Sequence, residues 1–186
     1  MARCDRKLVG LALAASVGLA APVAWALDYR PIDPTMADKT VTLTGHDLTI
    51  DQLVAVARYG AKVRIGPEAM QRTVDTHGLM MEAAAEGMPV YLFNRGAGNQ
   101  REIVTFEGDP LSPENQPKLE EKALTQFRNG AKSGTGGEIP DEESVRAAMV
   151  VRANTMTWLP ASPGLLQALV DLLNSRITPV ARMMGG

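Results

Sequence analysis

The chain has 186 residues, 45% of them apolar and 22% charged, with a net charge of −2. That balance excludes an intrinsically disordered chain, and the near-neutral charge gives no electrostatic reason to expect nucleic acid or an anionic membrane as partner. Aromatic residues make up only 4%, while Ala, Met, Leu and Glu are frequent, which favours helices over a β-sandwich.

Arg3, Arg6 and Lys7 form a positive start, residues 8–21 an apolar run, and Ala24-Trp25-Ala26 a small-x-small site. This is the pattern of a secretory signal peptide, with cleavage expected after Ala26. The run is short for a spanning helix, which needs about 20 apolar residues, so no stable membrane insertion is expected after cleavage. Localisation is read as periplasmic or secreted. The single cysteine, Cys4, lies before the apolar run, so the mature chain has no thiol and no disulfide chemistry.

Residues 27–42 read as an extended N-terminal arm with Pro31 and Pro34, and residues 43–186 as the folded portion. Thr40 to Leu43 alternate weakly and predict a short strand. Thr49-Ile50-Asp51-Gln52 fits a capping box, followed by a helix carrying Leu53, Val54, Val56 and Ala57. Val63 and Ile65 flank Arg64 in a second short strand. Gly66-Pro67 opens a helix that is expected to stop at Gly87.

The apolar run Pro89-Val90-Tyr91-Leu92-Phe93 leads into Asn94-Arg95-Gly96-Ala97-Gly98-Asn99, and on pattern alone Tyr91 reads as a strand residue. A long polar stretch with Pro110, Pro113 and Pro117 follows, then a helix from Pro117 through Phe127. Residues 133–137 are glycine-rich. Pro140-Asp141-Glu142-Glu143 starts a helix whose acids complement the macrodipole, and it carries Val145, Ala148, Met149, Arg152 and Met156. Ser162-Pro163 starts the last helix. Its leucines, Leu165, Leu166, Leu169, Leu172 and Leu173 with Val170, lie nearly all round, so a large exposed apolar patch and self-association are expected.

Three stretches, in order, resemble the family of histidine, phenylalanine and tyrosine ammonia-lyases. Leu-Thr-Ile-Asp-Gln-Leu-Val-Ala-Val-Ala-Arg at residues 48–58 is similar to the family's opening helix. Pro-Val-Tyr-Leu-Phe-Asn-Arg-Gly-Ala-Gly at 89–98 resembles its Val-Tyr-Gly-Val-Asn-Thr-Gly-Phe-Gly loop. Val-Arg-Ala-Ala-Met-Val-Val-Arg-Ala-Asn-Thr-Met at 145–156 resembles its Val-Arg-x-x-Met-x-x-Arg-x-Asn-x-Leu helix, and continues into Leu-Leu-Asn-Ser-Arg-Ile-Thr-Pro-Val. The resemblance implies a mainly α fold, the N-terminal region of an L-aspartase-like helical fold with a few short strands. It implies elimination of ammonia from an aromatic amino acid such as His, Phe or Tyr to give an arylacrylate. The family assembles as a helical tetramer, so a homo-oligomer is implied for a complete chain.

By the same resemblance Tyr91 matches the catalytic base, and Asn94, Gly96 and Gly98 match substrate-loop positions. The family's electrophile is a methylidene-imidazolone made autocatalytically from an internal Ala-Ser-Gly. No such triplet occurs in these 186 residues, so no cofactor is expected in this chain and it is expected to be inactive alone. Other departures are Leu92 where the family has glycine, Arg95 for threonine, Asn129-Gly130 for Ser-His, and Leu159-Pro160-Ala161-Ser162-Pro163-Gly164 for Gly-x-Ser-Gly-(Val/Ile)-Arg. The alternative is a non-catalytic exported helical protein that binds a small aromatic ligand or a protein partner, with Tyr91, Phe93 and Arg95 lining a pocket.

Other signals are weaker. Arg95-Gly96-Ala97-Gly98 lacks the third glycine of a dinucleotide fingerprint, and Gly134-Thr135-Gly136-Gly137 lacks the Lys-Ser/Thr of a phosphate loop. His46 and His77 have no ligand-spaced partners, so no metal site is expected. Arg146 and Arg152 offer guanidinium groups for a carboxylate, or ion pairs with Glu142 and Glu143. Asn154, poorly placed in mid-helix, is expected to hydrogen-bond a buried turn.

Overall fold

A computed structural model describes residues 29–130 and 137–182. The expected signal segment 1–26, most of the glycine-rich stretch 133–137 and residues 183–186 lie outside the described residues.

The order is β1 (Thr40–Leu43), α1 (Ile50–Ala57), β2 (Lys62–Ile65), α2 (Pro67–Ala85), α3 (Gln116–Gly130), α4 (Glu142–Met156) and α5 (Pro163–Asn174). Short 3-10 turns sit at Gly98–Gln100 and Pro113–Asn115. The two strands pair in parallel, Thr40 opposite Lys62 and Leu43 opposite Ile65, with α1 as the crossover. The fold class is as the resemblance implied, mainly helical with a small sheet.

Local chemistry sets the element ends. Thr49 accepts from the Gln52 amide while Gln52 Oε1 accepts from the Thr49 amide, the full capping box. Asp141 caps α4 by accepting from the Ser144 amide, and Ser162 caps α5 by accepting from the Leu165 amide. Left-handed Gly87 ends α2, with the Met88 amide donating back to the Ala83 carbonyl.

The core is built around α4, which packs on α1 and α5, while α5 also covers β2. Val145, Met149, Val150, Ala153 and Met156 of α4 meet Val56, Leu43, Val63, Leu166, Val170 and Leu173. Asn174 finishes the open side of β2: its Oδ1 accepts from the Val63 amide at 2.7 Å and its Nδ2 donates to the Val63 carbonyl at 2.9 Å. Both groups would otherwise be left unpaired at a half-buried edge.

Two sequence expectations change. The leucine-rich α5 does not expose a large patch: Leu166, Val170 and Leu173 are buried, Leu169 and Leu172 pack against the core, and Leu165 stays exposed. Exposed large apolar side chains are scattered over several elements, among them Ile50 on α1, Leu79 on α2, and Leu124 and Phe127 on α3. Ion pairing also falls differently. Arg58, not Arg146, grips Glu143, with Nε 2.9 Å from both carboxylate oxygens. Arg146 is wholly buried and donates to backbone carbonyls.

Asn154 does what its placement implied. Its Oδ1 accepts from the amide of Gly45 at 3.0 Å, a residue with φ of 93°. The Gly45 carbonyl in turn accepts from Trp158 Nε1 at 2.9 Å, and the Arg72 guanidinium carbon sits over the Trp158 ring, 3.9 Å from its centre.

Candidate functional site

The Tyr91 loop leaves α2 after Gly87. It is a tight turn rather than a strand: the amides of Phe93, Asn94 and Arg95 all converge on the Val90 carbonyl at 3.1–3.2 Å. Such convergence needs a reversal of the backbone, and Leu92 supplies it with φ of 65°. A left-handed residue costs an L side chain about 1–2 kcal/mol, which gives a physical reason for glycine at this position in the resembling loop.

Asn94 is the internal brace of the turn. It is only 4% exposed. Its Oδ1 accepts from the Val90 amide and its Nδ2 donates to the Met88 carbonyl, both at 2.7 Å. Its backbone carbonyl accepts from the Thr105 amide at 3.0 Å. The return strand is held by an antiparallel bridge between Arg95 and Val104 and by the Gly96 amide donating to the Ile103 carbonyl. Gly96 has no room for a side chain, since a Cβ there would stand 2.5 Å from the Gln100 carbonyl oxygen.

Tyr91 projects outward, 57% exposed. Its phenol oxygen accepts from the amide of Gly98 at 3.1 Å, and Gly98 is left-handed with φ of 56°. Four residues singled out from sequence thus share one loop, but in two roles. Tyr91 and Gly98 meet at the surface, while Asn94 faces inward and Gly96 lets the chain close on itself.

Residues that the sequence did not single out support the loop from α3. Gln126 Nε2 donates to the Leu92 carbonyl at 3.2 Å, and Lys122 Nζ donates to Thr105 Oγ1 at 2.7 Å. Their four-residue spacing on α3 is the only sequence signal they carry. Between α2, α3 and the loop lies a cleft of about 350 Å³ with walls that include Met81, Phe93, Leu119, His77, Lys122 and Gln126. Phe93 is anchored there by a tilted contact with Phe106, ring centres 6.1 Å apart. Burial pushes the Lys122 ammonium below its ordinary pKa. Tyr91 and Arg95 do not line this cleft.

The remaining candidates fall elsewhere. Arg152 is exposed. His77 Nδ1 lies 3.3 Å from the Pro160 carbonyl, and His46 sits beside Thr44 and Asp47. Among the described residues no three His, Cys, Asp or Glu side chains gather as a metal site would require.

The whole arrangement has counterparts in known proteins. The model of the family described as aromatic amino acid lyase matches residues 48–186. Histidine ammonia-lyase 2 of Fusobacterium nucleatum is 32% identical over 149 residues, covering 79% of this chain and 27% of that protein. The histidine ammonia-lyase of Treponema denticola is 31% identical over 146 residues, 77% of this chain and 27% of that protein. The chain therefore spans about a quarter of the length of these curated relatives. Among solved structures, ergothionase from Treponema denticola, in complex with desmethyl-ergothioneine sulfonic acid, superposes with a TM-score of 0.66 at 28% identity, over 80% of this chain and 28% of that one. Tyrosine aminomutase from Streptomyces globisporus shares the fold, with a TM-score of 0.66 at 23% identity over 79% of this chain and 26% of that one.

Proposed function

The chain belongs to the aromatic amino acid lyase family, and from that premise we propose that it carries the base-bearing N-terminal part of an enzyme that eliminates ammonia from an aromatic amino acid. The product is the corresponding arylacrylate. Tyr91 is the base. Its oxygen takes the β-proton, the electron pair of that C–H bond becomes the new double bond, and the Cα–N bond breaks to release ammonia. The observation that carries this reading is the hydrogen bond from the Gly98 amide to the Tyr91 oxygen, since a donor aimed at that oxygen stabilises negative charge on it. The tight turn braced by Asn94 supports the reading, because a base must be held in place on its loop.

In the family a methylidene-imidazolone supplies the electrophile. The residues present do not fit that group, since the 186 residues contain no Ala-Ser-Gly from which to form it. The isolated chain is therefore expected to release no ammonia from Phe, Tyr or His.

The test is a chimera. Residues 48–182 replace the matching segment of the Fusobacterium nucleatum histidine ammonia-lyase, and arylacrylate absorbance is followed with each aromatic amino acid. The chimera is expected to be active, and Tyr91→Phe to lower kcat by about 100-fold or more. Unchanged turnover in Tyr91→Phe would sink the assignment of the base.

A second reading is favoured by the apolar cleft beside Phe93: a non-catalytic protein that takes a small aromatic ligand between α2 and α3. Under it, cinnamate binding to the 186-residue chain would be weakened by Phe93→Ala and untouched by Tyr91→Phe. Export belongs to the proposal as well, with residues 1–26 as the signal and Leu27 as the mature N-terminus. Mass spectrometry of periplasmic protein checks it, and a product retaining Met1 would overturn it. Homo-oligomer formation through the exposed face of α3 completes the reading, and a lone monomer at high concentration in size exclusion would count against it.

A further inference from the structure

The linker before α4 lies between two segments from opposite ends of the described chain. On one side the N-terminal arm runs parallel to it: the Arg30 amide donates to the Pro140 carbonyl at 2.9 Å and the Glu142 amide donates to the Arg30 carbonyl at 3.1 Å. On the other side residues 178–182 run antiparallel: the Ile139 amide donates to the Ala181 carbonyl at 2.8 Å, and Glu138 bridges to Arg182. The backbone bonds of each side are few.

Glu142 joins the two sides. Its side chain is only 7% exposed. One carboxylate oxygen accepts from the Ile32 amide at 2.9 Å, and the other accepts from the Thr178 hydroxyl at 2.9 Å. Arm and C-terminal segment meet at a cavity of about 50 Å³ lined by Tyr29, Glu142, Thr178 and Val180 among others.

A buried carboxylate is costly unless its oxygens are satisfied. Undocking either segment opens Glu142 to water, which then competes for the oxygen that holds the other segment, and that is a coupling free energy between the two segments. We propose that Glu142 is a latch that couples the N-terminal arm, residues 29–32, to the C-terminal segment, residues 178–182, so that the chain holds both or releases both. This goes beyond the proposed chemistry and does not depend on it. Because coupling is reciprocal, loosening the segment must loosen the arm by the same factor.

Amide hydrogen exchange on the full chain at neutral pH tests the latch. Ile32→Pro deletes the one N–H that the arm gives Glu142 while keeping an extended backbone. Exchange protection at Ile139, which reports the far segment, is expected to fall about tenfold. Thr178→Val, the reciprocal variant, is expected to lower protection at Arg30 by a similar factor, and it decides the matter alone if Ile32→Pro fails to fold. Wild-type protection at Ile139 in a chain whose arm has come free, or at Arg30 in Thr178→Val, would show that the two segments dock independently and overturn the proposal.

Discussion

Arg146 Nη2 donates to the carbonyl of Val56 at 3.1 Å, linking positions 90 residues apart in the chain. Its Nη1 donates to the Leu173 carbonyl at 3.3 Å. Val56 lies in the last turn of α1 and Leu173 in the last turn of α5, where helix carbonyls lack intrahelical partners and the macrodipole is negative. One guanidinium, fully buried on α4, therefore closes two helix ends at once, with the Glu142 charge acting in its favour.

Arg146→Met is expected to cost about 1–3 kcal/mol, because it fills the space but leaves the buried Val56 carbonyl without its donor, while the Leu173 carbonyl keeps the Arg176 amide. Arg146→Lys should fall between, since an ammonium lacks the fork that reaches both acceptors. Urea unfolding checks this, and a midpoint unchanged in Arg146→Met would show that the Val56 carbonyl finds another partner.

Leu92→Gly is expected to stabilise the chain by about 0.5–1 kcal/mol, the relief of left-handed strain less the extra entropy of glycine in the unfolded state. Leu92→Val should do the opposite, because a β-branched side chain tolerates positive φ least. Thermal melts of the two variants should move in opposite directions.

Asn94→Ala and Tyr91→Phe should separate structure from chemistry. Asn94 is buried with both amide ends used, so its loss is expected to cost about 1–3 kcal/mol. Tyr91 is exposed, and removing its hydroxyl should change stability by less than about 0.5 kcal/mol. Equal destabilisation by both variants in the same melt would contradict the two roles given to the loop.

Gly45→Ala is expected to be among the most damaging single changes, costing about 2 kcal/mol or more. Gly45 has φ of 93°, and a Cβ there would stand 2.5 Å from Arg72 Nη2 and Trp158 Nε1. Tryptophan fluorescence should shift with the loss of the Trp158 contact, and an unshifted spectrum in a stable variant would refute the prediction.

Stability should respond to acid through Glu142. Burial raises its pKa, but donors from Ile32, Thr178 and Tyr29, and the nearby Arg146 charge, outweigh that and hold it below the ordinary carboxylate value. A depressed pKa contributes stability that is present above the unfolded-state pKa and is lost as pH falls through the folded-state one. The difference in stability between wild type and Glu142→Gln is therefore expected to be constant near neutrality and to shrink below the ordinary carboxylate range. A difference that stays flat down to strongly acidic pH would show that the charge on Glu142 does not matter.

Where the helices begin, and where α2 stops, was legible in the residues alone, because those signals act within four positions; the end of α3 was not, since it runs past the expected Phe127 to Gly130. The Thr49–Gln52 box, Pro67 after Gly66, Gly87, the acidic start of α4 and Ser162-Pro163 all stand in the structure as their local chemistry dictates. The ordered motifs also carried the family, with no structure needed. The pairing of the polar side chains, by contrast, emerges only in three dimensions. Arg146 finds carbonyls 27 and 90 residues away, Asn174 finds Val63 111 residues away, and Glu142 finds Ile32 110 residues away. No local period encodes such partners. The apolar run 89–93 reads like a strand, yet it turns: the Val90 carbonyl gathers three amides, and among the described residues no named strand lies beside the run. The leucines of α5 look exposed on a helical wheel, yet most are covered, because α4 and β2 wrap more of that helix than its sequence can specify.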